Sequence, residues 1–193
     1  MRLATVLYEG TPRVVAALAD EMLLDLDKAA TFARYETDTF TNMLAVIQVG
    51  DYGLEQARGL LRRADRRALL SISGVIFCPP VMPLQFRNAE TVEAAARRRL
   101  SAPVPDVWRK APHYSPGYRM GFAGHGAIAA WRGYAALMDV DPALAIVLGQ
   151  TGRGLPVAAA PGYIFGYALL ASYVARDVER REAAVGFGPC CGR

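Results

Sequence analysis

The densest run of groups able to do chemistry follows an apolar stretch, Tyr163 to Tyr173. Directly after it come Arg176, Asp177, Glu179, Arg180, Arg181 and Glu182. A carboxylate in an apolar cavity can take or return a proton. A core strand that delivers charges at its end is one way to build a pocket on a sheet. The same spacing suits structural roles. Asp177 and Arg181 stand one helical turn apart, and Arg176-Asp177 suits an ion pair tying a helix to a sheet. The two histidines, His113 and His125, match no zinc spacing and read as surface residues. Of the three cysteines, Cys78 stands alone, and the adjacent Cys190-Cys191 is either redox-active or a bystander. Tyr114, Tyr118 and Phe122 either cover an apolar ligand or pack their own loop down.

The elements that must position these groups are legible as patterns. Leu3 to Tyr8 alternates and stops at Glu9-Gly10-Thr11-Pro12, a turn signal. Val14 to Leu18 and Met22 to Leu26 read as two more strands, which makes a small β-meander. Thr41 to Gln48 reads as an apolar helix stopping near Gly50. Asp51 suits the N-cap of a second helix through Arg63, with Leu54, Ala57, Leu60 and Leu61 on one face. Arg58, Arg62, Arg63, Arg66 and Arg67 line the other side as a solvated face. A buried strand is expected from Gly74 to Cys78, halted by Pro79-Pro80. Asn88 suits the N-cap of a helix from Ala89 to Leu100, whose last turn carries Arg97 to Arg99. Ser101 to Gly124 lacks periodicity and reads as a lid or binding loop. A strand from Ala143 to Leu148, a turn at Gly149 to Gly154 and a short helix from Pro156 precede a buried strand, Tyr163 to Tyr173. A charged helix from Ala175 to Glu182 follows it.

The segment "YIFGYALLASYVARDVERRE", followed by "GPCCGR", resembles the signature of the fumarylacetoacetate hydrolase family. There, YIFGY-type strands lead into a D-W-S-A-R-D-type segment and a G-P-x-x-G-K turn. Asp139-Val-Asp-Pro-Ala-Leu-Ala-Ile-Val-Leu-Gly149 is similar to the family's metal-ligand strand. Pro83-Leu-Gln-Phe-Arg87 and Ile128 to Tyr134 match two further landmarks. The resemblance covers residues 75 to 193 well and the preceding segment loosely. It implies an α+β, mostly β fold, with a small N-terminal β-meander with helices over residues 1–70 and a shortened, mixed β-roll over residues 71–193. In the family the chain runs on beyond the G-P-x-x-G-K turn, so a homodimer, or a partner chain completing the roll, is expected.

The family breaks carbon–carbon bonds of β-dicarbonyl acids with a divalent ion held by carboxylates. Its relatives include hydratases, isomerases and decarboxylases. Carried over residue by residue, the F-R-D Asp falls on Asn88 and the base His falls near Ala95. The Glu-x-Glu pair falls on Asp141 and Ala143. The Asp of the last motif falls on Ser172, the Ser two residues on falls on Val174, and the Lys of the closing turn falls on Arg193. One charged ligand of four does not offset the dehydration of a hard dication. The resemblance therefore implies no metal, no cofactor and no inherited hydrolysis. It directs Asp141, Glu90 and Glu179 toward the pocket as acid or base groups, with Asn88, Tyr114, Tyr118, Ser172, Arg176 and Arg193 as substrate contacts. The expected activity is isomerisation, cyclisation or decarboxylation of a small apolar, β-dicarbonyl or polyketide-like molecule. The alternatives are a non-catalytic pseudoenzyme or partner-binding protein, and a divalent-metal-dependent acylpyruvate-type hydrolase.

Composition bounds the remaining classes. With 193 residues, 53% hydrophobic and 21% charged, the chain has the balance of a globular protein. No apolar run reaches about 18 residues, so no membrane partner is expected. Met1-Arg2 leads into alternation rather than an apolar block, so no signal peptide is expected. Three cysteines build no disulfide framework, which points to a reducing cytoplasm. The net charge of +4 comes almost wholly from arginines interleaved with acids on separate helices. That pattern argues against nucleic acid as a partner.

Overall fold

The computed structural model describes residues 1–19, 21–35, 37–100, 102–131 and 133–186. The fold is α+β, and the chain packs as two compact units that interleave along the sequence. The first comprises Met1–Met82, Phe122–Ile128 and Pro142–Ala171. The second comprises Pro83–Gly121, Ala129–Asp141 and the described residues from Ser172 on.

The first unit is built on a five-stranded sheet. Strands β1 (Leu3–Tyr8), β2 (Thr11–Ala17) and β3 (Met22–Asp25) form the meander. The Glu9-Gly10 turn has φ of 48° and 77°, and Tyr8 pairs with Thr11. Two successive positive φ values match the twist of a two-residue hairpin, and glycine at the second tolerates it without a Cβ clash. The sheet order is β4-β3-β2-β1-β5, with β4 at Leu69–Ser71 and β5 at Ile76–Phe77. Alternation divides the side chains between two faces. Val14, Ala16 and Leu24 enter one core, and Val6, Val15, Leu23 and Leu70 enter the other.

Helices α1 (Leu26–Ala33), α2 (Met43–Val49) and α3 (Asp51–Arg63) share the first core. They contribute Leu26, Ala30, Val46, Ala57 and Leu60. The α1 helix follows β3 with no intervening loop, because Asp25 ends the strand and caps the helix. Its Oδ1 accepts a hydrogen bond from the Lys28 backbone N–H at 3.1 Å. Asn42 caps α2 in the same way by accepting from Ala45 N–H. Asp51 is not the cap of α3: Gly50 is, and Asp51 is the first helical residue. There its charge complements the helix dipole. The strand expected at Gly74 to Cys78 is reduced to the two residues of β5, and Ile76 is 67% exposed. This strand lies at the sheet edge, where only β1 pairs with it. Gly124 packs against it so closely that a Cβ there would fall 1.8 Å from the Phe77 carbonyl oxygen.

Strands β6 (Arg87–Ala89) and β7 (Tyr114–Pro116) belong to the second unit and pair antiparallel, with Asn88 opposite Ser115. This corrects two sequence expectations. The helix expected from Ala89 begins only at Glu93, as α4 (Glu93–Leu100). Asn88 is a strand residue rather than a helix cap, and Glu90 precedes the helix, its N–H donating to the His113 carbonyl at 3.2 Å. The supposedly unstructured stretch supplies the missing strand partner, together with a single-turn helix, α5 (Val107–Lys110). Glu93 holds Arg97 and Arg109 at 2.5 and 2.7 Å.

Strands β8 (Met138–Leu148) and β9 (Ile164–Ala175) pair as a two-stranded sheet, and β9 runs directly into α6 (Arg176–Ala184). The expected strand and charged helix are both present. The expectation that this strand is buried fails. Phe165 packs on the first core, yet Tyr167 and Leu169 are exposed at 62% and 92%. With one partner strand, alternation buries only part of each face.

Candidate active site

The junction of β9 and α6 carries a dense charge cluster that sequence and structure share. Val174 and Ala175 end the strand fully buried. Ala175 and Val178 form a small apolar plug with Ala135 and Met138. That plug fixes the first turn of α6 against the start of β8.

On this base Arg176 reaches three carboxylates at once. Its Nε donates to Asp139 Oδ2 at 2.9 Å and its Nη1 donates to Glu179 Oε2 at 2.9 Å. Its Nη2 donates to Asp141 Oδ1. Charge-assisted bonds of this kind are the strong ones, and a planar guanidinium fits several carboxylates around its rim. The Arg176 and Glu179 side chains are largely buried, at 17% and 12% exposure, and Asp139 and Asp141 form the wetter side. Burial alone would weaken the Arg176 charge. The bonds from Glu179, Asp139 and Asp141 outweigh it and raise the guanidinium above its ordinary pKa. Asp139 is held below the usual carboxylate value by Arg176 and by the Val140 N–H at 2.8 Å.

Asp177 serves the neighbouring backbone. Its two oxygens accept from the N–H groups of Ala136 at 3.1 Å and Leu137 at 3.4 Å. The Ala136 bond is the main reason its carboxyl sits below the ordinary value. Arg176 N–H in turn donates to the Leu137 carbonyl at 2.8 Å. Thus Arg176 and Asp177 both tie α6 to the segment around β8, each through its own partners. Arg181 stands 3.7 Å from Asp177, one helical turn on.

Of the residues singled out from sequence, the structure brings together Asp141, Glu179 and Arg176. Asn88 and Glu90 stand in and beside the β6–β7 ladder, Asn88 half-buried. Tyr114 and Tyr118 are exposed at 65% and 69%. Ser172 is half-buried in β9, and Ala95 lies in α4. Arg193, with Cys190 and Cys191, lies outside the described residues. Asp139 was missed. Its signal was the Asp-x-Asp spacing of Asp139 and Asp141, which puts both carboxylates on one face of a strand. The resemblance had directed attention one step along, to positions 141 and 143.

A second acidic cluster went unnoticed. Arg13 bonds Asp27 at 3.2 Å and stands 3.8 Å from the buried Asp25. Burial, then the charge of Asp25, raises the Asp27 carboxyl despite Arg13. With Asp25 committed to the α1 cap, this trio is a clamp on the sheet.

The acids of this cluster do not fit the divalent ion that the family uses. Mg²⁺ and Ca²⁺ need oxygens at about 2.0–2.6 Å from one centre. Asp139, Asp141 and Glu179 instead bond three different nitrogens of a guanidinium, which spreads their bonded oxygens around its rim. Among the described residues, no three His, Cys, Asp or Glu side chains are grouped so as to hold a metal ion.

The family model "Fumarylacetoacetate (FAA) hydrolase C-terminal" matches residues 86–192. No curated protein matches in sequence. Among solved structures, maleylpyruvate hydrolase from Sphingobium sp. SYK-6, in complex with manganese(II) and pyruvate, superposes with TM-score 0.62 at 18% identity. That match covers 91% of this chain and 60% of the other. The 5-carboxymethyl-2-hydroxymuconate delta-isomerase from Mycobacterium smegmatis gives 0.61 at 14% identity, over 95% and 59%. Fumarylacetoacetate hydrolase from Exiguobacterium antarcticum gives 0.59 at 17%, also over 95% and 59%. At these identities the likeness is one of fold, and the chain spans about 60% of the length of each solved relative. A family match over more than half of the sequence, on a fold shared with both hydrolases and isomerases, makes this chain a member of the fumarylacetoacetate hydrolase family.

Proposed function

We propose that the chain is a metal-independent, non-hydrolytic enzyme of this family, of isomerase, cyclase or decarboxylase type, acting on a small β-dicarbonyl or polyketide-like molecule. The observation that carries the reading is the cluster itself. Asp141 and Glu179 are kept together and oriented by Arg176, while alanine stands where the family's water-activating base would be. Isomerases among the fold relatives support the same direction.

A tautomerisation asks little of such a site. A carboxylate takes a proton from one carbon or enol oxygen of the substrate and returns it to another. No water is consumed: one bond to hydrogen breaks and another forms while the double bond shifts between carbon–carbon and carbon–oxygen. Asp141, the more exposed of the two inner acids, is the proton carrier in this scheme. Arg176 holds it in place and fixes its direction. Glu179 holds the far side of the guanidinium.

The test is the ketonisation of 2,4-diketo acids, followed by ultraviolet absorbance with and without a chelator. Asp141→Asn is expected to lower the rate by about 10²-fold or more, the range of a general acid–base group. The chelator is expected to have no effect. Cleavage of an acylpyruvate that stops when the chelator is added would falsify the reading and restore a metal-dependent hydrolase.

One observation favours a second, non-catalytic role. Strand β8 exposes Leu144, Ile146 and Leu148 at 61%, 54% and 64%, and alternation puts them in one apolar row. An uncharged row of this kind is complementary to itself, as a two-fold interface requires. We propose that it docks a second copy of the chain. Light scattering behind size-exclusion chromatography reads the state directly.

A further inference from the structure

We infer that a cleft between the end of α1 and one face of α3 binds a small flat anion, an aromatic ring carrying one carboxylate or phosphate group. Arg34 and Tyr35 line the cleft from the end of α1, and Tyr52, Gln56, Gly59 and Arg62 line it from α3. The spacing of three and four residues puts the α3 group on one helix face. The volume of about 470 Å³ suits a small molecule. All these residues belong to the first unit, so the inference is independent of the function proposed above. Three local choices here disfavour the fold. Arg34 closes α1 at φ 59°, where a side chain is strained and glycine is not. The arginine instead brings a cation to the cleft. Gly59 is the reverse case. It sits inside α3, where alanine is the better helix former, and a Cβ there would meet nothing closer than the Tyr35 hydroxyl at 3.6 Å. Alanine would fit, and glycine leaves the helix surface bare. Gln56 Oε1 is buried with no hydrogen-bond partner among the described residues, a costly state for an amide. Strain, a helix-weakening glycine and an unsatisfied amide on one cleft are explained by binding rather than by stability.

The lining fixes the chemistry of the ligand. The point where a Gly59 Cβ would stand lies 3.6 Å from the Tyr35 hydroxyl oxygen and 3.8 Å from Arg62 Nη2. Two donors therefore flank one bare spot. Among the described residues, neither the hydroxyl nor the Arg62 guanidinium has a hydrogen-bond or ion-pair partner. Arg63 lies over the Tyr35 ring at 5.5 Å and steadies it. A hydroxyl beside a guanidinium is a seat for an oxyanion, and Arg34 adds a second positive charge. Glu55 also lines the cleft, but its carboxylate is bonded to Arg58 at 2.5 Å. Tyr52 stands two turns back along α3, 62% exposed, and offers a ring for stacking. The rise of about 10 Å between Gly59 and Tyr52 spans one oxyanion and one aromatic ring. Gln56 lies between them, where its amide can meet a polar substituent.

The experiment is a ligand-observed NMR titration of the full chain with benzoate, phenyl phosphate, inorganic phosphate and phenol. Saturable binding of a ring anion is expected, and the tighter of benzoate and phenyl phosphate identifies the oxyanion. Inorganic phosphate and phenol each lack one half of the ligand and are expected to bind at least about tenfold more weakly. Arg62→Gln is expected to lower the affinity about tenfold or more. Arg34→Gly is expected to lower the affinity while raising the thermal midpoint, because it removes a cation and relieves the left-handed backbone. A purely structural role for Arg34 would not separate the two readouts in this way. Gly59→Leu is expected to fill the cleft and abolish binding in a folded protein. If that variant does not fold, Arg34→Gly and Arg62→Gln decide. The inference is overturned if neither ring anion binds saturably, if inorganic phosphate binds as tightly as phenyl phosphate, or if Arg34→Gly and Arg62→Gln bind as well as the parent protein.

Discussion

Arg176 and Asp177 are adjacent in sequence and divide their labour. Arg176 gathers side chains, and Asp177 gathers backbone N–H groups on the same stretch of chain. Both reach partners 35 to 41 residues away. Asp139 and Asp177 have depressed pKa values relative to the ordinary 3.8, and Asp65, gripped by Arg67, falls to about 2. An acid whose folded pKa is lowered contributes stability that is complete above its unfolded pKa. That stability is lost as the pH falls through the folded value. Asp27 is shifted the other way and opposes the trend slightly. The expected result is a melting temperature that drops as the pH falls below about 4, with a shallower drop in Asp177→Asn. A scan of thermal unfolding against pH measures both. The importance of the Arg-Asp pair was legible from the sequence, but its partners were not. Neighbour spacing predicts contacts within a helix, whereas these contacts depend on how β8 returns to β9.

Among the elements, the strands of the meander were readable because alternation has a period that no other structure shares. Helix α1 was not, since it starts directly after the last strand residue and no turn marks the change. The one clue was Asp25, whose cap is visible only once the helix is placed. Strand β6 was hidden for the opposite reason: three residues are too few for a pattern, and their partner lay in a segment without periodicity. The ends of two helices also store strain. Arg34 closes α1 at φ 59°, and Ala64 closes α3 at φ 42°. A Cβ in this left-handed region costs about 1–2 kcal/mol, and glycine avoids it, offset in part by the larger conformational entropy of its unfolded state. Ala64→Gly is therefore expected to stabilise the protein by about 0.5–1 kcal/mol, read as a higher denaturation midpoint with an unchanged slope.

For the molecule as a whole, family membership came from the order and spacing of several motifs, and the fold bears it out. The departures from the family's charged residues, at Asn88, Ala95, Ala143 and Ser172, are what the resemblance implies. The use to which the remaining acids are put was not legible in the sequence, because Asp139 gains meaning only beside Arg176. Among the described residues, no helix is long and apolar enough to cross a membrane. The apolar row on β8 provides a test at this scale. Ile146→Glu places a charge in the middle of the proposed two-fold contact, and desolvating an unpaired carboxylate there is unfavourable. The variant is expected to elute as a monomer where the parent protein elutes as a dimer. A parent protein that is monomeric at high concentration rejects the contact. The guanidinium among Asp139, Asp141 and Glu179 carries a different consequence. Arg176 is synthesised with the polypeptide, so this positive charge is present once per molecule from translation onward. It cannot be dialysed out, starved for or exchanged for a heavier element. In return it has no vacant coordination position, and whatever it polarises it must reach through N–H bonds alone.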